Sequence, residues 1–335
     1  MSVIAITGGG SAGHIMPALA LVPKLKPYFD NIIYIGNTSP ENKLVPPSGI
    51  PFYSVSSVKL NRNKFFSNLK IPKILLRGIA ESKDILKSEC VTIVFSKGGY
   101  VSLPVCIASI LLKIPLIVHE SDYSLGLANR LTAPFAKLVL TSFAETRGGI
   151  YLGNPVRDEI LTANPLNIRN MYSLDNKPIV LIIGGSSGST AINNAVYPIL
   201  KQLTSKFNVF HITGKTSHLI EMRGYFKFEY VNNICDLYAA SDIVITRGGA
   251  NALSECAALG KKTLCIPLPA GPSRGDQLEN ARCYQKLGII RILEQKDLTP
   301  YRLLKEIELT NSLSPPKAIV SNAASNIVKE ILSII

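Results

Sequence analysis

Two polar side chains follow glycine-rich turns, where they could take part in chemistry. His14 follows the turn at residues 8–13, and Glu255 lies one turn into a helix predicted after Gly248 and Gly249. Histidine titrates near neutral pH and can therefore accept or donate a proton. A helix that opens at a glycine turn offers N–H groups and a positive dipole end to an anion. A carboxylate one turn further on is badly placed for a phosphate but can accept hydrogen bonds from hydroxyls. The region around Glu255 therefore indicates a ligand with a pyrophosphate and a diol, such as a nucleotide.

The elements that must hold these side chains follow from the hydrophobic pattern. Residues 243–245 form a β-branched apolar run, a helical pattern then ends at Gly260, and residues 264–267 form a second apolar run. A polar loop with Asp276 and Gln277 is predicted next. Strand, glycine turn, helix and strand make half of a parallel α/β layer, whose ligands bind beyond the carboxyl ends of the strands. We therefore expect the glycine turn and the polar loop to lie at the ligand-binding edge.

The first glycine turn matches the dinucleotide-binding pattern G-x-G-x-x-G through Gly8, Gly10 and Gly13, with a helix predicted over residues 16–25. Domains that bind NAD carry an acidic residue at the end of the second strand. Here the predicted strand 32–35 is followed by glycine and asparagine, so the sequence disfavours NAD. A turn that only lets strand and helix pack closely remains an alternative at this position.

The unit of strand, glycine turn and helix recurs along the chain. Ser-Lys-Gly-Gly at 96–99 lies 150 residues before Thr-Arg-Gly-Gly at 246–249, and the apolar run 179–183 leads into a third glycine turn. Two halves with the same order of elements predict an α/β fold of two doubly wound, Rossmann-like domains that face each other across a cleft. The predicted boundaries are 1–156 for the first domain and 157–318 for the second, with a helix at 319–335 that packs back onto the first.

The composition restricts the class of protein. The chain has 335 residues, of which 47% are hydrophobic, and a formal net charge of +13. Six cysteines without a C-x-x-C pair and only four histidines favour a reduced protein without structural zinc. The first residues lack the features of a signal peptide. The apolar stretch 101–118 is interrupted by two prolines and a lysine, so it predicts a buried helix and a strand rather than a membrane span.

Residues 59–77 contain six basic residues and no acidic one, interleaved with apolar side chains. One interpretation is a solvated loop followed by an amphipathic core helix. The other is a patch that docks on the headgroups of an anionic membrane surface. Nucleic acid is the weaker partner, because the ordered aromatic spacing of RNA-binding sheets is absent. The residues predicted for membrane docking are Lys59, Arg62, Lys64, Phe65 and Phe66.

Seven motifs occur in the same order as in a known bacterial enzyme family. They cover essentially the whole chain and read GGGSAGH, SKGGYVS, HES with GLANR, GNPVR, GGSSG, and RGGANALSECAALG followed by DQLENA. The chain thus resembles the UDP-N-acetylglucosamine transferases that add GlcNAc to undecaprenyl-pyrophosphoryl-MurNAc-pentapeptide. The resemblance implies an inverting glycosyltransferase of GT-B architecture in the last cytoplasmic step of peptidoglycan precursor synthesis, and hence a part in cell-wall biogenesis, cell shape and cell division.

The same resemblance implies partners and location. The donor UDP-GlcNAc would bind the second domain with no cofactor and no metal, and the lipid acceptor would bind the first. The protein would be peripheral to the cytoplasmic face of the cell membrane, with cell-wall synthesis proteins as further candidate partners.

Residue by residue, the resemblance assigns roles in both domains. Donor binding is assigned to Ser11, Ala12, Gly13, Arg157, Gly185, Ser186, Gly188, Val231, Ala250, Asn251, Ala252, Leu253, Ser254, Glu255, Asp276 and Gln277. Acceptor binding is assigned to Gly10, Tyr100, Asp122 and Asn129. One departure is that Asp122 stands where many members have asparagine, which changes the charge beside the acceptor.

The catalytic prediction concerns the proton of the acceptor hydroxyl. His14 is the predicted base, or an essential partner of the base, because its ordinary pKa is near neutral. Glu120 is the second catalytic candidate and would need its pKa raised by burial. The alternative is that His14 only binds the acceptor pyrophosphate.

Three other functions stay open. A related lipid glycosyltransferase would use diacylglycerol or another polyprenol acceptor with the same donor pocket. A hydrolysing UDP-GlcNAc epimerase shares the two-domain architecture, but it would need carboxylates beside the donor sugar and would have no use for the basic patch. A non-catalytic sugar-nucleotide sensor would bind UDP-GlcNAc without transferring the sugar.

Overall fold

The structure, a computed structural model, describes residues 2–60, 65–185, 188–216, 220–231, 234–271, 275–319 and 322–335, and for residues 65–67 the backbone only. The chain divides into two compact units. The first unit comprises Met1–Pro155 with Ser321–Ile335, and the second comprises Val156–Val320.

The first unit is built on a parallel sheet of seven strands in the order β3-β2-β1-β4-β5-β6-β7. The strands are β1 Val3–Thr7, β2 Asn31–Gly36, β3 Phe52–Ser54, β4 Ile93–Ser96, β5 Leu116–Glu120, β6 Leu138–Thr141 and β7 Ile150–Tyr151. The helices are α1 Ala12–Leu19, α2 Val22–Leu25, α3 Glu41–Leu44, α4 Ile71–Ser88, α5 Ser102–Leu111 and α6 Leu127–Thr132, with 3₁₀ turns at Pro46–Ser48, Phe65–Lys70 and Ala133–Phe135.

The second unit repeats this plan with six parallel strands in the order β10-β9-β8-β11-β12-β13. The strands are β8 Ile179–Ile183, β9 Asn208–Ile212, β10 Tyr225–Phe228, β11 Ile243–Thr246, β12 Lys262–Cys265 and β13 Ile290–Ile292. The helices are α7 Asp158–Leu161, α8 Pro165–Met171, α9 Thr190–Val196, α10 Leu200–Lys206, α11 Cys235–Ala240, α12 Ala250–Ala258, α13 Asp276–Lys286 and α14 Pro300–Ser312, with 3₁₀ turns at Tyr197–Ile199 and Gln295–Asp297.

The predicted fold class, two doubly wound α/β domains, is confirmed. The central strands read as apolar runs because helices cover both faces of each sheet, so every residue of β1, β8 and β9 is buried. The strand order reverses direction between β1 and β4 in the first sheet and between β8 and β11 in the second. Such a switch point opens a crevice at the carboxyl ends of its two strands, where ligands of this fold class bind.

Three predicted elements differ from the structure. The helix predicted from residue 16 begins at Ala12, so His14 lies inside its first turn. His119 and Glu120, predicted to follow a strand, belong to β5, because they pair with Leu140 and Thr141 of β6. The predicted polar loop around Asp276 and Gln277 is the first turn of α13. Its polar composition was the reason for the loop prediction, but acidic residues also suit the positive end of a helix.

The last helix, α15 Ala323–Leu332, contributes to the first unit's core, which lies on one face of the first sheet. Its apolar face buries Ala324, Ile327, Val328 and Ile331 among the residues around β1 and β2. Among the residues that the structure describes, no helix combines the length and apolarity that crossing a bilayer requires.

Candidate functional site

The switch point of the first sheet joins two glycine turns. The turn after β1 and the turn after β4 are linked by a hydrogen bond from the Gly9 N–H to the Gly98 carbonyl oxygen, at 3.2 Å. Gly99 has φ +84°, and a Cβ atom there would lie 2.3 Å from the Gly9 carbonyl oxygen, so only glycine permits this approach. The Gly10 N–H donates to Oε1 of the buried Glu41 at 2.6 Å. Gly10 is therefore held by the protein's own carboxylate, and the ring of Tyr100 packs against it.

His14 is oriented by a main-chain carbonyl of the neighbouring turn. Its Nδ1 lies 3.2 Å from the carbonyl oxygen of Lys97, and its N–H donates to the Ser11 carbonyl oxygen at 3.1 Å. A carbonyl oxygen can only accept, so Nδ1 must carry the hydrogen. In the neutral ring the basic lone pair is therefore on Nε2.

Glu120 organises the loop that follows β5. Its Oε1 accepts from the Asp122 N–H at 3.1 Å, and its Oε2 accepts from the Gly126 N–H at 2.8 Å and from Asn129 Nδ2 at 2.7 Å. Burial raises the pKa of Glu120, and the nearby Asp122 raises it further. Oδ1 of Asn129 is buried and has no hydrogen-bond partner among the described residues. A buried acceptor without a donor is costly, so this atom indicates a place for a ligand donor.

Lys97 is a residue of this site to which the sequence analysis gave no role. Its side chain is completely buried, and Nζ lies 2.6 Å from His119 Nδ1, 2.5 Å from Ser121 Oγ and 3.0 Å from Asn154 Oδ1. Burial lowers the pKa of Lys97 to about 7, against the opposing effect of Glu120 and Asp122. A signal was present in the sequence, since a lysine stands directly at the carboxyl end of a buried strand.

The switch point of the second sheet carries the glycine turn after β8. Gly185 and Gly188 have φ +93° and +75°, and the Gly188 N–H donates to the Gly185 carbonyl oxygen at 3.1 Å. The predicted donor residue Ser186 lies outside the described residues. Ser189 caps α9 by accepting from the Ile192 N–H at 3.3 Å.

Arg247 joins this glycine turn to the segment that follows β12. It is the second residue, after Lys97, to which the sequence analysis gave no role. Its Nη2 donates to Ser189 Oγ at 2.5 Å, and its Nη1 donates to the Ile266 carbonyl oxygen at 3.0 Å. The residue is 8% exposed, and burial lowers the pKa of its guanidinium. These hydrogen bonds go to neutral oxygens, which do not neutralise the guanidinium. Its positive charge therefore lies under the switch point of the second sheet.

The helix α12 begins at the same edge, with Gly249 as its N-cap. Asn251 and Ala252 are partly exposed, whereas Ala250, Leu253 and Ser254 are buried. Ser254 Oγ donates to the Ala250 carbonyl oxygen at 2.8 Å. The side chains of the buried three therefore pack in the interior of the unit, and a ligand could meet these residues only through the main chain.

Glu255 and Arg157 form an ion pair inside the second unit. Arg157 Nη2 lies 3.2 Å from Glu255 Oε1, and their side chains are 19% and 14% exposed. Burial raises the pKa of Glu255, while Arg157 lowers it. The Nε atom of Arg157 is buried without a hydrogen-bond partner among the described residues. The pairing places Arg157 beside the predicted ribose-binding carboxylate.

Gln277 connects two strand ends. Its Oε1 accepts from the Gly248 N–H at 3.2 Å and from the Leu268 N–H at 2.9 Å, which leaves its NH₂ group to donate to a ligand. Asp276, which precedes it in α13, is buried. Val231 packs against the second unit's core beside β10.

The predicted docking residues are only partly within the described chain. Lys59 is exposed, Arg62 and Lys64 lie outside the described residues, and for Phe65 and Phe66 the backbone alone is described. Over the described ranges, no group of three or more histidine, cysteine, aspartate or glutamate side chains is arranged to hold a metal ion.

Comparison with known proteins agrees with this architecture. The N-terminal domain of glycosyltransferase family 28 matches residues 4–141, and the C-terminal domain of the same family matches residues 179–334. The crystal structure of Acinetobacter baumannii MurG is similar with a TM-score of 0.75 and 25% sequence identity, covering 99% of this chain and 100% of that one.

Curated relatives are similar over nearly their whole length. The UDP-N-acetylglucosamine--N-acetylmuramyl-(pentapeptide) pyrophosphoryl-undecaprenol N-acetylglucosamine transferase of Clostridium botulinum, strain Loch Maree, is 44% identical over 92% of this chain and 90% of its own length. The protein of the same name from Clostridium novyi is 40% identical over 99% of this chain and 97% of its own length. With both family domains matched and relatives this similar, the chain belongs to glycosyltransferase family 28.

Proposed function

We propose that this protein transfers N-acetylglucosamine from UDP-GlcNAc to undecaprenyl-pyrophosphoryl-MurNAc-pentapeptide, forming the lipid-linked disaccharide precursor of peptidoglycan. The observation that carries this proposal is the 44% identity, over 92% of the chain, to a transferase named for this reaction. The reaction joins the acceptor hydroxyl oxygen to the anomeric carbon with inversion and breaks the bond from that carbon to UDP.

The second unit is the proposed donor site. The turn with Gly185 and Gly188 and the N-terminus of α12 supply N–H groups and a helix dipole at one strand edge, which suits a pyrophosphate. The buried Arg247 adds a positive charge next to Ser189 at this edge. As UDP leaves, its growing negative charge is stabilised by these preorganised groups, which need no reorientation during the reaction.

The ribose and the GlcNAc of the donor meet polar side chains of the same unit. Glu255 accepts hydrogen bonds from the ribose hydroxyls, and Arg157, paired with it at 3.2 Å, favours the charged form of the carboxylate against the opposing effect of burial on its pKa. The NH₂ group of Gln277 and the carboxylate of Asp276 bind hydroxyls of GlcNAc, and the main chain of Val231 meets the uracil edge. Ser186 faces the pyrophosphate in this assignment.

The first unit is the proposed acceptor site, with His14 as the base. The tautomer fixed by the Lys97 carbonyl places the lone pair on Nε2, which takes the proton of the attacking hydroxyl. Glu120 is less suited to this role, because its two oxygens already accept three hydrogen bonds. Its buried carboxylate instead shapes the loop with Asp122 and Asn129. Oδ1 of Asn129, which has no partner in the described part of the chain, accepts a hydrogen bond from the acceptor. Ser11, Ala12 and Gly13 complete the approach to the sugar, and Gly10 with Tyr100 lines the acceptor side.

The protein reaches its lipid substrate through a docking patch on the first unit. We define this patch by the exposed residues Lys59, Leu60, Leu69, Lys70, Lys73 and Leu76, together with Arg62, Lys64, Phe65 and Phe66. Leu69 and Leu76 are 70% and 68% exposed although both are large and apolar. Apolar side chains among basic ones suit the interface of an anionic membrane, and the proposed location is its cytoplasmic face.

A transfer assay tests the proposal. The purified protein is incubated with UDP-GlcNAc and a short-chain analogue of the MurNAc-pentapeptide lipid, and both UDP release and the lipid product are measured. Stoichiometric UDP and a disaccharide lipid support the proposal. Free UDP with N-acetylmannosamine would indicate the epimerase, and transfer only to diacylglycerol would indicate another acceptor. Binding of UDP-GlcNAc without any turnover would indicate a sensor.

A further inference from the structure

The side chain of Lys97 is buried in a site that satisfies its charged form. An ammonium group has three hydrogens, and three acceptors surround Nζ: His119 Nδ1, Ser121 Oγ and Asn154 Oδ1. His119 is an acceptor at Nδ1 because its Nε2 lies 3.0 Å from the Gly153 carbonyl oxygen and must donate to it. Burial and the Lys97 charge hold the pKa of His119 well below its usual value, so the ring stays neutral.

This network ties together the strand ends that form the acceptor side. Lys97 follows β4, His119 lies in β5, Ser121 directly follows β5, and Asn154 follows β7. Ser142, which follows β6, donates to the Glu120 carbonyl oxygen at 2.8 Å and lies 3.4 Å from Asn154 Oδ1. The amino group of Lys97 therefore connects the segments at the ends of β4, β5 and β7.

The charges facing Lys97 come from the same elements. Glu120 in β5 and Asp122 after it both raise the pKa of Lys97, in opposition to burial. Neutral His119 is the remaining titratable group on β5, His14 of α1 contacts the Lys97 carbonyl, and the segment after β7 contributes the neutral amide of Asn154. Lys97 is thus the cation that balances two acceptor-side carboxylates.

We propose that Lys97 is a positioning residue of the acceptor site: its buried amino group fixes the loop with Glu120 and Asp122, and its carbonyl orients His14. The proposal rests on the proposed function for its kinetic consequences. Lys97 does not touch the reacting atoms in this account, since all three of its hydrogens are used within the protein.

The kinetic test compares Lys97→Met with Lys261→Met. Lys261 is a control in the other unit, because its Nζ is likewise held by hydrogen bonds, in this case to the main-chain carbonyls of Ala239 and Ser241. We expect Lys97→Met to lower kcat/KM for the acceptor by roughly 10- to 100-fold, with the KM for UDP-GlcNAc within about twofold of the wild type. The proposal would be overturned if acceptor and donor constants changed together, as they would for general loss of structure.

The pH profile separates a charge effect from a structural one. Without the nearby cation the pKa of Glu120 rises, and protonation would disturb the hydrogen bonds by which this carboxylate holds the acceptor loop. The fall of kcat/KM for the acceptor on the acid side, the acid limb, should therefore begin about one pH unit higher in Lys97→Met. Lys97→Arg, which keeps the charge but not the shape, should weaken the acceptor KM while leaving that limb in place. Asp122→Asn added to Lys97→Met should move the limb back, because it removes the carboxylate that raises the pKa of Glu120. A limb that stays in place in Lys97→Met contradicts the proposal.

A measurement that does not depend on activity tests the role of Lys97 separately from the proposed transfer reaction. The titration of the Glu120 carboxyl is followed by ¹³C NMR, with Glu120→Gln used to assign its signal. A higher pKa in Lys97→Met supports the electrostatic role even if the wild type makes no lipid product, in which case the proposed function fails alone. An unchanged Glu120 titration overturns the inference even if the wild type is fully active.

Discussion

At His14, a main-chain carbonyl selects which ring nitrogen can act as a base. The contact from Nδ1 to the Lys97 oxygen is 3.2 Å, and it depends on the close approach of the two glycine turns. A histidine held in this way keeps one tautomer and one orientation, which is what a proton acceptor requires.

Replacing His14 by alanine should therefore lower kcat by about 100- to 10,000-fold at saturating acceptor, with little change in the KM for UDP-GlcNAc. Initial rates of UDP release measure both constants. His211→Gln is the control, because this histidine is buried in the second unit and has no assigned part in the acceptor site. Near-normal kcat in His14→Ala would remove His14 from the base role and favour simple binding of the acceptor.

Glu255→Gln should weaken UDP binding by about tenfold, because a hydrogen bond to a neutral amide is weaker than one to a carboxylate. Calorimetric titration with UDP, without acceptor, measures this effect. The control is Glu279→Gln, since Glu279 is 44% exposed and pairs with the surface Arg282. Equal affinity of both variants would argue against ribose binding at Glu255.

His211 should make the second unit sensitive to acid. Burial lowers the pKa of His211 to about 3, and its ring contacts Asn193 Oδ1 and the Tyr225 hydroxyl. Between pH 6.5 and 3 the unfolded chain binds a proton that the folded unit does not, so stability falls as the pH falls through this range. From pH 7.5 to 5 this single group should cost about 2 kcal/mol of unfolding free energy. Hydrogen exchange of the β9 amides at both pH values measures the loss of stability. In His211→Gln this contribution to the pH dependence of stability should be absent. A slope unaffected by the substitution would contradict the assignment.

At the level of elements, the sequence was most informative where strands are buried on both faces. The runs 93–96 and 179–183 are β4 and β8 as observed, because short apolar runs rich in β-branched residues are typical of parallel strands that are covered on both faces. The end of β5 was missed, since His119 and Glu120 look like loop residues until their pairing with β6 is known.

Long-range contacts also explain why the sequence pattern predicts no role for two residues of the site. Lys97 and Arg247 each stand between an apolar strand and a glycine turn, where a basic side chain would ordinarily be exposed. Their partners, among them Asn154 for Lys97 and Ser189 for Arg247, lie 57 and 58 residues away in sequence. Burial of such a group is decided by these long-range contacts, which periodicity does not report.

The docking patch gives a prediction at this scale. Replacing Lys59, Lys70 and Lys73 together by alanine should weaken binding to vesicles with anionic headgroups by roughly 100-fold, at about 1 kcal/mol for each residue. Co-sedimentation with phosphatidylglycerol vesicles measures the affinity, and neutral vesicles should show little difference. The matched control replaces Lys201, Lys286 and Lys305, which are exposed in the second unit. If both triple variants bind alike, the patch is wrongly placed.

At the scale of the whole molecule, the first unit is assembled from two separate parts of the chain. Residues around β1 and β2 share one core with Ile327, Val328 and Ile331 of α15. Ile327→Ala should therefore destabilise the first unit by about 2–5 kcal/mol, because Ile327 is completely buried and its loss leaves a cavity. Hydrogen exchange of the β1 and β2 amides measures the change, with Ser325→Ala on the exposed face of α15 as the control. Unaltered protection of β1 in Ile327→Ala would show that the helix is dispensable for this core.

Because the first unit is made of two separate parts of the chain, the order of synthesis affects the order in which the two units can fold. The ribosome makes all of Val156–Val320 after β1–β7 and before α15, so the first sheet emerges with part of its apolar face uncovered. The second unit has all its strands within one continuous stretch and can fold while translation is still under way. The unit that contains the proposed base therefore completes its core only after α15 has been synthesised.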